Sequence, residues 1–258
     1  MNSSNMQKLA MPQVSLTIPC FNEEECIAET IPPLVEEFAR NGIELELVLV
    51  DNGSTDRTGE LIDNLIENEL PVVKIRLDTN IGYSAGVLAG LSKCRAAVIG
   101  YVHADGQVAP KDVYRTFDLM HGREERVLVK VRRRFRRDGL RRKFMSVIYN
   151  FLMQGVFGWL GSIDLNGCPK MFSRQNFKAM QCRSKDWFLD PEIILKAKKL
   201  GLRVIEIDVE GRFRHGGVSH VKISAVLEFL KNIWIYRFSS YLRNWHKSLK
   251  DNKSVQIE

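Results

Sequence analysis

Four short stretches of this chain gather side chains suited to chemistry: Pro19-Cys20-Phe21-Asn22-Glu23-Glu24, Asp51-Asn52-Gly53-Ser54-Thr55-Asp56, Asn80-Ile81-Gly82-Tyr83 and His103-Ala104-Asp105-Gly106-Gln107. Carboxylates, amides and an imidazole at this density suit a polar, charged ligand. One such stretch reads equally well as a turn or helix cap, and Ser54, Thr55 and Asp56 are expected to cap as well. Four in succession favour a binding site. A fifth stretch, residues 130–143 (KVRRRFRRDGLRRK), sets nine Lys or Arg against Asp138. It nets +8 in a chain of net charge +7, so the remainder lies near −1. Its partner is expected to be a concentrated anion: phosphate, an anionic membrane surface or nucleic acid. With Phe135 as its only aromatic, the run gives little support to nucleic-acid recognition.

The elements that must position these stretches alternate along the chain. Short β-branched runs at 14–18, 45–50, 72–77, 97–102 and 127–131 predict strands, and the patterns at 24–40, 56–68, 83–94 and 110–120 predict helices. Each of the four stretches therefore follows a strand. Repeated β-α-β units imply a mostly parallel sheet with helices on both faces, whose ligands collect at the carboxyl ends of the strands. Gly82, Gly86 and Gly90 recur every fourth residue on one predicted helix and point to close packing. No GxGxxG follows a strand and no GxxxxGK[ST] occurs, which removes the main support for dinucleotide and P-loop sites.

A chain of 258 residues with 45% hydrophobic composition can bury one sizeable core, so a single α/β domain with a helical appendage is expected. The five cysteines are scattered and form no CxxC or CxH pair, which argues for reduced thiols in a cytosolic protein over disulfides or structural zinc. The polar residues 1–11 lack a signal-peptide pattern, and no run of about 20 apolar residues appears, so a soluble or peripheral protein is expected. Two segments keep double readings. Residues 143–160 are apolar apart from a stripe at Ser146, Asn150 and Gln154, and suit a core helix or one in a membrane interface. Further on, Ile223, Val226, Leu227, Leu230, Trp234, Phe238, Tyr241 and Trp245 fall on one helical face, with Lys231, Arg243 and Lys247 opposite. Such a helix lies on a membrane or packs on the domain.

The succession IPCFNEEE, VDNGSTDRT, NIGYSAGVLAG and HADGQ resembles the inverting family 2 glycosyltransferases of the GT-A fold. The continuation KVRRR…RRKFMSVIYNFL…DLNGCPKMF…RHGGVSH is similar to the branch holding dolichyl-phosphate mannose synthase and related polyprenyl-phosphate glycosyltransferases. The resemblance covers roughly residues 12–220. It implies a Rossmann-like GT-A catalytic domain there, after a disordered stretch at 1–11 and before a C-terminal amphipathic helix and tail at 221–258. It further implies sugar transfer, with inversion, from a UDP- or GDP-linked donor to a polyprenyl phosphate. The protein would be peripheral on the cytoplasmic face of an anionic membrane and would take no nucleic-acid partner.

By the same resemblance, Pro19, Phe21, Glu23 and Asp51 surround the nucleoside, with His103 and Asp105 completing the donor site. HAD stands where the family has DxD, so Asp105 and Gln107 are implied ligands of a divalent cation, Mg²⁺ or Mn²⁺. His103 replaces the first Asp; it can ligate Mn²⁺ or hydrogen-bond the donor, and suits Mg²⁺ poorly. Arg132, Arg142 and Ser146 match acceptor-phosphate positions, and Asp164 and Arg214 match later motif positions, with Arg214 also assigned to the acceptor phosphate. An acceptor that is already an anion needs arginines to place it and no base, which makes Arg132 and Arg142 catalytic alongside Asp105. A hydroxyl acceptor needs a carboxylate base. Asp190, in WFLDPE, is the candidate for it, and its ordinary role would be an N-cap before Pro191. A third reading, kept open by His103, is a non-catalytic binder of a nucleotide sugar or phospholipid.

Overall fold

A computed structural model describes residues 11–134, 140–211 and 224–255. Strands β1 (Val14–Cys20) and β2 (Leu45–Asn52) are buried almost throughout, as parallel strands covered on both faces must be. They share a seven-stranded sheet with β3 (Val72–Leu77), β4 (Val98–Tyr101), β5 (Val127–Arg133), β6 (Lys170–Ser173) and β7 (Arg203–Val209). The order is β3-β2-β1-β4-β6-β5-β7, and β6 alone runs antiparallel to its neighbours β4 and β5. The mostly parallel sheet is as expected. The chain winds outward from β1 to β3 and returns to the other side of β1 with β4, so the loops after β1 and β4 part at a switch point where a ligand fits.

Helices α1 (Glu24–Arg40), α2 (Thr58–Glu67) and α4 (Pro110–Asp118) cover one face through Ile27, Ile31, Phe38, Ile62, Val113 and Phe117. The other face carries α3 (Tyr83–Leu91), α5 (Leu140–Phe157), α6 (Arg174–Met180), α7 (Leu189–Lys199), α8 (Ser224–Phe238) and α9 (Tyr241–Val255). Helix α3 crosses β1 so closely that a Cβ on Gly90 would lie 1.7 Å from Thr17 Oγ1, the tight packing its glycine spacing predicts.

Two expectations need correction. Strand β5 runs two residues past the predicted end, to Arg133, and pairs in parallel with β7, a strand the sequence reading omits. The single C-terminal helical face is divided between α8 and α9, because the Ser239 hydroxyl accepts a hydrogen bond from Tyr241 N–H (3.1 Å) and donates to Ile235 O, a local turn that competes with helix continuation. Helix α9 packs on the domain: Leu242 and Trp245 are buried, and Trp245 Nε1 donates to Ala179 O at 3.0 Å.

Candidate active site

The loops after β1, β2 and β3 are tied to one another by side chains. Parallel pairing sets Cys20 opposite Asp51, which brings Pro19, Phe21, Glu23 and Asp51 to neighbouring strand ends. Asn22 accepts from Thr55 N–H (2.9 Å) through Oδ1, while its own N–H donates to Ser54 Oγ (3.1 Å). Glu23 N–H donates to Thr58 Oγ1, and Glu24 accepts from Arg57 N–H. Ser54 and Thr55 thus join two loops and do not cap α2, whose N-cap is Arg57; Asp56 does accept from Thr58 N–H at the helix start. Asn52 fastens the third loop by accepting from Ile81 N–H and donating to Asn80 Oδ1 and Gly82 O. At Gly53, φ is 72° and a Cβ would lie 2.5 Å from the Thr79 carbonyl carbon, so this turn fits only glycine. The outcome is a braced rim along three strand ends.

After β4, Asp105 is buried, and its Oδ1 accepts from Gln107 N–H at 3.1 Å. His103 Nδ1 lies 3.9 Å from Asp105 Oδ2, while its Nε2 meets the Tyr83 hydroxyl at 2.8 Å. Tyr83 stands edge-on to His103 and stacks on Trp187 at 5.1 Å, so the imidazole is oriented from behind. Loss of surrounding water pushes the His103 pKa below its ordinary value; Asp105 opposes this and Arg133 reinforces it. His103, Asp105, Gln107, Arg133 and Cys168 line one small cleft.

Arg133, absent from the sequence-derived set, faces that cleft. Its Nε approaches Asp164 Oδ2 at 3.3 Å, and an Nη donates to Asn166 O at 3.2 Å. Its neighbour Arg132 points to the other side of β5, where it makes a bidentate pair with Asp208 of β7 at 2.6 and 2.7 Å. The loop carrying Asp164 is held from below by the buried Lys130, which donates to Asp164 O and pairs with Glu206 at 2.7 Å. Glu206 also accepts from Ser162 Oγ and from Ile163 and Asp164 N–H. Ser146 lies on α5 and accepts from Asn150 through its carbonyl. The Arg142 side chain and the whole of Arg214 fall outside the described residues.

Asp190 is not a helix cap. Phe188 occupies the N-cap, and Asp190 sits in the first turn of α7, buried, accepting from Tyr101 Oη at 2.6 Å and pairing with the fully buried Lys170. A carboxylate so engaged is a core ion pair. Among the described residues, no group of three or more His, Cys, Asp or Glu is placed to hold a metal ion.

The model of the glycosyl transferase family 2 matches residues 15–180. The chain belongs to this family. Its family 2 relatives include the undecaprenyl-phosphate 4-deoxy-4-formamido-L-arabinose transferase of Photorhabdus laumondii, 28% identical over 86% of this chain and 66% of that protein. The chain therefore spans just under two thirds of that relative's length. A dolichyl-phosphate β-glucosyltransferase of Trichomonas vaginalis is 26% identical over 85% of this chain and 71% of its own. Among solved structures, glucosyl-3-phosphoglycerate synthase from Mycobacterium tuberculosis with Mn²⁺, UDP-glucose and phosphoglyceric acid shares the fold, with a TM-score of 0.64, 16% identity and coverage of 88% of this chain and 79% of that one. S. aureus TarS with UDP-GlcNAc does so at a TM-score of 0.57, 18% identity and coverage of 86% and 66%. The likenesses to solved structures concern the fold alone, the GT-A architecture expected from the motifs.

Proposed function

We propose that this family 2 glycosyltransferase moves a sugar, with inversion, from a UDP- or GDP-linked donor to a polyprenyl phosphate at a membrane surface. The observation that carries this reading is that one cleft is lined by both the buried carboxylate of Asp105 and the guanidinium of Arg133. A phosphate acceptor brings its own negative charge and needs a cation to place it, which Arg133 supplies in the role the motif gave to Arg132. A hydroxyl acceptor needs a base. Asp190, the residue assigned that task, is committed to Lys170 and Tyr101. The names of the undecaprenyl- and dolichyl-phosphate relatives favour the same acceptor class.

On the donor side, Pro19, Phe21, Glu23 and Asp51 at the braced rim would receive the nucleoside. The donor set fits a divalent cation: Tyr83 engages Nε2 of His103, which leaves Nδ1 directed toward Asp105, and Gln107 lies in the same cleft. Two protein ligands suffice where substrate phosphates supply others, and the Mn²⁺ and UDP-glucose in the mycobacterial synthase accord with this. When bound, the cation would neutralise charge on the departing diphosphate. Asp105 and His103 would hold it, and Tyr83 would fix the imidazole.

Transfer assays with UDP- and GDP-sugars and undecaprenyl phosphate, each with Mg²⁺ or Mn²⁺, test the proposal. Asp105→Ala should abolish transfer with an unchanged melting temperature, and His103→Asp should keep or raise the Mg²⁺-supported rate. Full activity in Asp105→Ala, or transfer only to hydroxyl acceptors, would overturn it.

A further inference from the structure

Residues 183–188 cross the start of α3 as a strap pinned at both ends. At one end, Arg183 and Ser184 donate their N–H groups to the buried carboxylate of Glu192 on α7, at 3.0 and 2.8 Å. At the other, Phe188 is fully buried at the N-cap of α7. Asp186, between them, uses all of its oxygens. Its carbonyl accepts from the buried Ser84 hydroxyl of α3, Oδ1 accepts from Phe188 N–H at 2.9 Å, and Oδ2 accepts from Asn232 Nδ2 of α8 at 2.7 Å. Ser184 adds a second tie to α8 through the Tyr236 hydroxyl at 3.2 Å. The strap lies so close that a Cβ on Gly82 would stand 3.4 Å from Lys185 O.

The strap presents Trp187 to Tyr83. The indole is half-buried and stacks on the phenol ring at 5.1 Å, with the planes 13° apart. Such a pair attracts beyond the area it buries. Tyr83 is the first residue of α3, and Gly82 at the N-cap has no side chain with which to cap the helix. The turn that places Tyr83 is therefore held from outside α3, by Asn52 on Gly82 O and by the strap on Ser84 and Tyr83. Tyr83 in turn meets His103 Nε2 at 2.8 Å, a contact that both neutral tautomers allow. Tyr83 donates when Nδ1 carries the ring proton and accepts when Nε2 carries it. Only the second leaves Nδ1 a lone pair for a cation. A phenol that loses its stack no longer has one place at which to meet the imidazole, and the ring is then free to turn.

We propose that Trp187 is a positioning residue for the donor side of the reaction: carried by a strap that Asp186 fastens to α3 and α8, it holds Tyr83 against His103 and so sets the direction and tautomer of the imidazole. The consequence for the cation rests on the donor-site reading above. The consequence for the imidazole stands apart from it.

The test compares the full chain with its Trp187→Ala, Trp187→Phe and Asn232→Leu variants. Imidazole ¹⁵N spectra at about pH 8, above the ordinary histidine range, with the His103 signals assigned by their loss in His103→Gln, should show one dominant tautomer in the wild type and a mixture in Trp187→Ala. Mn²⁺ binding in the presence of UDP or GDP, followed by electron paramagnetic resonance, should weaken about two- to tenfold in Trp187→Ala, the worth of one aromatic stack. The donor KM should rise and the acceptor KM stay unchanged. Trp187→Phe keeps a stacking ring and should restore the single tautomer and most of the affinity. Asn232→Leu removes the tie between Asp186 and α8; it should shift both readouts in the same direction, and it carries the test if Trp187→Ala does not fold. One tautomer and wild-type Mn²⁺ affinity in the folded variants, or a Trp187→Phe protein as impaired as Trp187→Ala, would overturn the proposal and leave Trp187 as packing. A tautomer shift in Trp187→Ala, in a chain whose wild type binds no Mn²⁺ with either nucleotide, keeps the strap and rejects the donor-site reading.

Discussion

At the scale of single residues, the two adjacent arginines of β5 show how strand geometry divides labour. Successive side chains leave a strand on opposite faces, so one of Arg132 and Arg133 can face the cleft and the other cannot. Arg133→Ala should raise the acceptor KM or lower kcat by about 10- to 100-fold, the worth of a charged hydrogen bond, with donor affinity preserved. Arg132→Ala should leave kinetics near wild type and cost under about 1 kcal/mol, because its partner Asp208 lies at the surface. Steady-state kinetics on both variants decides the assignment, and the reverse ranking would return the role to Arg132. Asp190→Asn belongs to a different class. It leaves the Lys170 ammonium buried without its counter-charge, a loss of about 3–5 kcal/mol that thermal or denaturant unfolding will show directly. A variant of wild-type stability that has lost its turnover would instead support Asp190 as a base.

At the scale of elements, the site depends on how closely α3 approaches β1. The helix delivers Tyr83 to His103 from its first residue, and its Gly90 lies against Thr17 and Val50. Gly90→Ala sets a methyl 1.7 Å from Thr17 Oγ1 and 2.9 Å from Val50 Cγ2, so the helix must move off the sheet. Overpacking of this kind costs about 1–3 kcal/mol. The displaced Tyr83 should also weaken Mn²⁺ binding, measured by electron paramagnetic resonance, beyond what the stability loss explains. Unchanged stability and metal affinity would show that α3 has room the structure does not display. The 160–165 loop is a second such element, fixed to the sheet by Lys130 and Glu206 and to α5 by Asn150 and Gln154.

Across the whole molecule, buried carboxylates set the response to acid. Burial raises the pKa of Glu206, but the Lys130 ammonium and hydrogen bonds from Lys130, Ser162 and Ile163 outweigh it and leave the carboxyl below its ordinary value. The same balance, with Lys196 and Ser184, lowers Glu192, and hydrogen bonds from Ser15 and Arg95 lower Glu46. A folded-state pKa below the unfolded one contributes stability that is fully present above the unfolded value and lost as pH falls through the folded one. The melting temperature should therefore fall steeply below about pH 4.5, the carboxylate range. Glu206→Gln should lower the melting temperature at neutral pH and flatten the acid limb. An acid limb as steep as wild type in that variant would place the titration elsewhere.

Much of this was legible in the sequence because the determinants are local. Near-continuous apolar runs specify buried parallel strands, the spacing of Gly86 and Gly90 specifies a close helix crossing whereas Gly82 caps the helix at φ 90°, and loops rich in Asn, Asp and Gly mark the strand ends. Asp105, His103 and Gln107 are singled out by the resemblance of HADGQ to the family's motif. What required the tertiary structure was every decision made by contacts distant along the chain. The choice between Arg132 and Arg133 rests on Asp208, more than 70 residues on, through a β5–β7 pairing that no local pattern announces. Asp190 reads as a candidate base or an N-cap, and only the fold shows Phe188 at the cap and Lys170 and Tyr101 around the carboxylate. Periodicity gave α5 a polar stripe and an apolar face without saying which points inward, since that depends on the polar backbone of the 160–165 loop, which Asn150 and Gln154 satisfy.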